Sequence, residues 1–130
     1  MHYRVLYIGD KSDLEKTMDK FCNDYGSKPI KNAKCDYYQV ENELTKGDIG
    51  QIGGEYFAMV INGRWYTRQE YPTDLYVKGT YEVSEKYRDG NGADIEKWKK
   101  NELERWDKRA KSLLKKYDDD MAIMVLDTHN

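Results

Sequence analysis

At 130 residues the chain reads as one domain, long enough to bury a core without metal or disulfide support. Charged side chains make up 35% of it, yet the net charge is only −2. The signs are interspersed, which excludes a generally basic polyanion binder, so nucleic acid is not expected as a partner; no apolar run approaches membrane-spanning length.

Tyr3 to Gly9 reads as a first strand. Ser12 with Glu15 forms a capping-box pattern. Leu14, Met18, Phe21 and Cys22 then repeat at helical spacing, and Gly26 and Pro29 mark the stop. Asp36 to Val40 is a short second strand. Residues 41–54 are ambiguous, with one helical turn around Leu44 and a glycine-rich stretch (Gly47, Gly50, Gly53, Gly54). That stretch lacks the Walker lysine and reads as a loop, not a phosphate cradle.

The segment from Glu55 to Tyr71 carries the best hairpin signal. Tyr56 to Ile61 is one strand, Asn62-Gly63 the turn, and Arg64 to Arg68 the return. Pro72 stops it. Leu75, Val77, Tyr81 and Val83 fall at even spacing, which predicts a further strand with a bulge at Gly79. Residues 87–92 are turn-rich. A charged amphipathic helix spans Asp94 to Tyr117, with nine basic and five acidic residues. Its locally basic back is read as solvated surface, with contact to an acidic partner as the alternative. The apolar run Met121 to Leu126 follows, a strand expected to be central or covered on both faces. The expected fold class is α+β: a mixed or antiparallel sheet with two helices on one face and an inserted β-hairpin, on a suspected ferredoxin-like core.

Three pieces carry a resemblance. They are Cys35 to Val40, the hairpin Phe57 to Tyr66, and Trp106 with the closing run Met124 to Asn130. Together they resemble small phage and prophage proteins of no assigned reaction, which combine a Trp-Tyr hairpin segment with a C-terminal V-D-x-H motif. The family's cysteine in that motif is Thr128 here. The resemblance implies phage origin and an architecture, not a reaction.

Two sets of residues could carry chemistry. Asp127 and His129 lie two apart on a strand, so they share a face. A carboxylate beside an imidazole makes an acid–base pair, and these would be the catalytic residues if the chain is an enzyme. Arg64, Trp65, Tyr66 and Arg68 could bind a ligand, with the arginines clamping an anion and the rings stacking on a base. His2 and His129 alone make no zinc signature, so neither metal nor cofactor is expected. Cys22 and Cys35 lack metal spacing and read as buried, reduced thiols. Met1-His2-Tyr3-Arg4 leads directly into a strand without a signal-peptide pattern, so a cytoplasmic location is expected.

The favoured reading is a small phage-type accessory protein that acts by binding. It would block a host protein or sequester a nucleotide-type ligand, in a counter-defence role. One alternative is a small hydrolase or transferase on a nucleotide or phosphorylated substrate, using Asp127 and His129. The other is a structural protein that self-associates as a homodimer through a sheet edge or the tryptophan helix.

Overall fold

Val5-Leu6-Tyr7-Ile8 is buried at every position, so this stretch of strand β1 (His2–Gly9) has no face to give to water, while His2 and Arg4 at its start are exposed. The computed structural model describes residues 1–23, 30, 33–49, 55–68, 74–89, 92–93, 95–116 and 120–129. In it β1 lies at the centre of a five-stranded sheet. The other strands are β2 (Tyr37–Leu44), β3 (Ala58–Ile61), β4 (Arg64–Thr67) and β7 (Ala122–His129), in the order β2-β7-β1-β3-β4. β1 pairs parallel with β3 and antiparallel with β7, so the sheet is mixed. A two-stranded ladder, β5 (Arg88–Asp89) and β6 (Gly92–Ala93), stands apart from it.

The strand periodicity sorts the core into two clusters, one per face. Leu6, Ile8, Met59, Ile61, Ile123 and Val125 meet Trp106, Ala110 and Leu114 of the long helix α2 (Ile95–Leu114). Val5, Tyr7, Ala58, Val60, Met124 and Leu126 meet Leu14 and Met18 of the short helix α1 (Leu14–Met18). The α+β class and the mixed sheet with two helices are as expected; the helices, however, cover opposite faces and not the single face expected. The reason is that β1, β3 and β7 are apolar on both sides, and each side needs its own cover.

The ferredoxin-like expectation is corrected with it. The hairpin enters on the inner strand β3 and leaves on the edge strand β4, and β2 adds to the far edge beside β7. The hairpin is part of the main sheet, not an insertion. Its turn is as the Asn-Gly pair requires: Asn62 has φ 51° and Gly63 φ 76°, both left-handed, as a type I′ turn demands. The capping box at Ser12 does not form. A 3-10 turn over Lys11–Asp13 leads into α1, whose N-cap residue Asp13 makes no side-chain cap bond. Leu44 ends β2 and is not helical; a 3-10 turn follows at Lys46–Asp48. Gly26, Pro29, the glycines from 50 to 54 and Pro72 lie outside the described residues.

Two ties lock the layers. Trp106 donates its Nε1 hydrogen to the carbonyl of Tyr56 at 2.9 Å, inside the α2-side core. Cys22 and Cys35 are joined as a disulfide, which corrects the reduced-thiol expectation while keeping both residues buried. They bridge the chain just after α1 to the chain just before β2, and the backbone there is laddered as well: Asn23 N–H donates to the Cys35 carbonyl at 2.8 Å. The β2–β7 register shifts between Val40 and Asn42, so Glu41 forms a bulge on the edge strand.

Two outcomes follow. Trp106→Phe strands the Tyr56 carbonyl and should lower stability by about 2 kcal/mol, read as a lower denaturation midpoint with an unchanged slope. Replacing both Cys22 and Cys35 by Ala should remove about 3 kcal/mol, as expected for a loop of this length. A reductant should reproduce that loss in the parent protein and leave the double variant unmoved.

Candidate functional site

The end of the sheet gathers more than its sequence pair suggests. His2 and His129 face each other across β1 and β7, and Tyr37 faces His129 across β2 and β7. Their rings form a row. Tyr37 stacks on His129 at 4.7 Å, nearly parallel, and His129 meets His2 edge-on at 4.9 Å. Asp127 and His129 share this face, as their spacing requires, but they do not pair. Asp127 lies 3.1 Å from His2 Nδ1, while the nearest carboxylate to His129 Nδ1 is Asp36 at 3.7 Å. That nitrogen is buried and makes no hydrogen bond. The hydroxyl between them in sequence, Thr128, is fully buried on the other face and donates to the Tyr3 carbonyl at 2.7 Å. So the assigned acid–base pair is split between two partners, and Thr128 cannot serve it as a nucleophile. Among the described residues no group of three or more His, Cys, Asp and Glu side chains is arranged to hold a metal ion.

His2 was missed because its role depends on antiparallel register between the first and last strands. No local pattern encodes that pairing.

The four hairpin residues do not converge either. On β4, Trp65 turns to the α1 side and packs against Phe21 at 5.4 Å, while Tyr66 turns to the α2 side under the Arg109 guanidinium at 5.7 Å. Arg64 is exposed beside the turn. Arg68 lies over the Phe57 ring at 5.3 Å, on the Tyr3 side. The two arginines thus work separately and form no anion clamp. Tyr66 and Trp65 serve as half-buried sheet residues, as do Tyr3 and Tyr38. Burial pushes the Tyr3, Tyr7 and Tyr56 phenols above the usual range; the Tyr3 hydroxyl donates to the Lys34 carbonyl and that of Tyr7 to the Asp10 carbonyl. A groove of about 590 Å³ runs between α1 and β2; Leu14, Tyr38, Val40 and Met124 line it, and Asp36 and Tyr37 border it.

Two tyrosines break the packing pattern. Tyr76 and Tyr81 sit with Val77 on a loop spanning residues 74–89, and all three are exposed, Tyr81 at 98%. The predicted strand is not there. Leu75 and Val83 are buried, Tyr76 and Val83 share a single bridge, and Val77 to Thr80 closes as a tight turn. Thr80 N–H donates to the Val77 carbonyl at 2.9 Å, and Gly79 takes φ 80°, the value a type II turn needs at its third residue. The even spacing of apolar residues imitates a strand because the turn falls inside it. Gly79, followed by the turn-favouring Thr80, was the available signal.

This loop is braced by bonds among its own residues. Ser84 N–H donates to the Leu75 carbonyl at 2.8 Å and Val77 N–H to the Glu82 carbonyl at 2.7 Å. Arg88 clamps the Val83 carbonyl at 2.7 Å and the Glu82 carboxylate at 2.5 Å. Asp74 accepts from Tyr87 at 2.9 Å and Lys86 at 3.2 Å. Those two donors, Tyr87 first and Lys86 second, hold the Asp74 carboxyl below its ordinary range. The result is an internally bonded base presenting an aromatic tip to solvent, with Lys78 as the tip's charge.

Asp74 supplies a pH prediction. Its folded pKa is depressed, so its contribution is present above the unfolded carboxylate value of about 3.9 and fades as pH falls through the folded value. Amide protection at Ser84 and Val77 should therefore hold at neutral pH and drop only below the normal carboxylate range. Asp74→Asn should show reduced protection at neutral pH without changing that of β1.

No helix among the described residues is long and apolar enough to cross a membrane. No protein-family model matches the chain, and neither a curated protein nor a solved structure does.

Proposed function

We propose that the chain is a binding module that inserts the tip of its 74–89 loop into a concave apolar pocket on another protein. One observation carries this: a tyrosine with 98% of its surface exposed stands on a loop whose backbone is fixed by hydrogen bonds and ion pairs. Leaving that much aromatic surface in water gains nothing for folding. Fixing it beforehand removes ordering cost at binding, as preorganised anchors do. Tyr76 and Val77 widen the apolar tip, and Lys78 favours a pocket with a carboxylate at its rim. The resemblance to phage proteins points to a host protein as the partner and to a blocking role.

Sequestration of a nucleotide has weaker support, because Arg64 and Arg68 engage different surroundings. The hydrolase reading is weakened likewise by the separation of Asp127 from His129. Self-association through the tryptophan helix loses its main anchor, since Trp106 faces the sheet.

The test is a photo-crosslinking residue placed at position 81, with position 64 as the comparison, in lysate of the bacterium in which the protein is made. Position 81 should give one discrete adduct. Excess parent protein should compete it away, while Tyr81→Ala should compete about 30-fold less well, a loss of about 2 kcal/mol typical of a central anchor. A smear at both positions, or equal competition by Tyr81→Ala, would sink the proposal.

A further inference from the structure

The net charge of −2 conceals a separation of sign. Residues 95–116 carry nine basic and four acidic side chains, a net +5, so the other 108 residues carry −7. The structure places much of that positive charge on one surface. Arg105, Lys108, Lys111, Lys115 and Lys116 are exposed along α2 and its end, with Lys100 toward its start. Two carboxylates lie beneath them, while Glu104 stands among them: Glu102 is buried and bonds Arg105 at 3.3 Å, and Asp107 is half-buried and bonds Lys111 at 2.8 Å. Glu104 is the one exposed acid on α2 among the described side chains.

We infer that this face docks on the phosphate backbone of duplex DNA. At the 100° turn of successive helical residues, Lys100 and Lys111 lie to one flank, Arg105 and Lys116 to the other, and Lys108 and Lys115 between them. The cations therefore fan to both sides of a rod roughly 28 Å long and about 10–12 Å wide. A duplex groove of about 12 Å has phosphates on both walls, at about 3.4 Å intervals along each strand whatever the sequence. An acidic protein would have to supply an unbroken double line of carboxylates to match it. An anionic membrane fits worse, because a helix that lies in lipid inserts its apolar face. Here that face, Trp106, Ala110 and Leu114, is already spent on the sheet. The −7 on the remainder repels phosphate and confines contact to this side, which makes the docking face-specific and not a general stickiness.

This surface is independent of the loop tip. Its probe is a fluorescein-labelled random duplex of about 20 base pairs, longer than the helix face, followed by anisotropy at about 50 mM salt and upward. The parent protein should bind, with a slope of log affinity on log salt of about −4 to −5 if five cations each neutralise a phosphate. The combined variant Lys100→Glu, Lys108→Glu and Lys115→Glu should bind at least about 30-fold more weakly, with the slope falling to about −2. Lys16→Glu, Lys20→Glu and Lys34→Glu together make the same charge change elsewhere and should bind within about threefold of the parent. Tyr81→Ala should bind as the parent does, which separates this test from that of the loop. If reversal disturbs the helix by circular dichroism, Lys→Gln at the three α2 positions gives the same ordering with smaller loss. Absence of binding at low salt, or equal loss in both triple variants, overturns the inference. So does displacement of the duplex by polyglutamate at equal charge, which would assign the face to an acidic protein.

Discussion

The burial of β1 on both faces is the constraint from which the architecture follows. Val5 and Tyr7 point one way, Leu6 and Ile8 the other, and none reaches water. A strand of that kind needs a neighbour on each edge and a layer on each side. β3 and β7 supply the edges; α1 and α2 supply the layers. The unequal lengths of the helices follow from what each must cover. α1 is only five residues, and its side of the core is completed by Cys22, Cys35 and the rings of Phe21 and Trp65. α2 covers its side with three turns of inward residues, leaving its outer surface free to carry charge.

What the sequence discloses tracks how local the determining physics is. The Asn62-Gly63 turn, the strand run ending in Leu126 and the long helix are each written in a few neighbouring residues, and each is found where expected. The placement of both helices on one face fails for a reason visible in the same residues. The Met-Ala-Ile-Met-Val-Leu run, apolar on both sides, already required cover on both sides. The disulfide, the row of Tyr37, His129 and His2, and the strand order depend on pairings between distant segments. The 74–89 loop deceived by imitation: alternation of apolar residues signals a strand only when no turn interrupts it, and Gly79 does.

Of the candidate residues named from their spacing and chemistry, Asp127, His129, Trp65, Tyr66 and Arg68 are engaged in packing and contacts of the sheet and its edge, while Arg64 is exposed beside the turn. The features left over by folding lie elsewhere, on the loop tip and on the back of α2. Both are convex, and both present side chains that the core does not use.

The bulge at Glu41 has a further effect on how the molecule behaves in a crowded solution. β2 is eight residues long and lies at the sheet's edge. A flat edge of that length is a template for amyloid growth, since each added copy repeats the same hydrogen-bond ladder about 4.8 Å on. The bulge interrupts that repeat partway along. A second copy added to this edge could follow the ladder only as far as the bulge, so the long border strand offers two short, offset stretches of hydrogen-bonding groups in place of one continuous template.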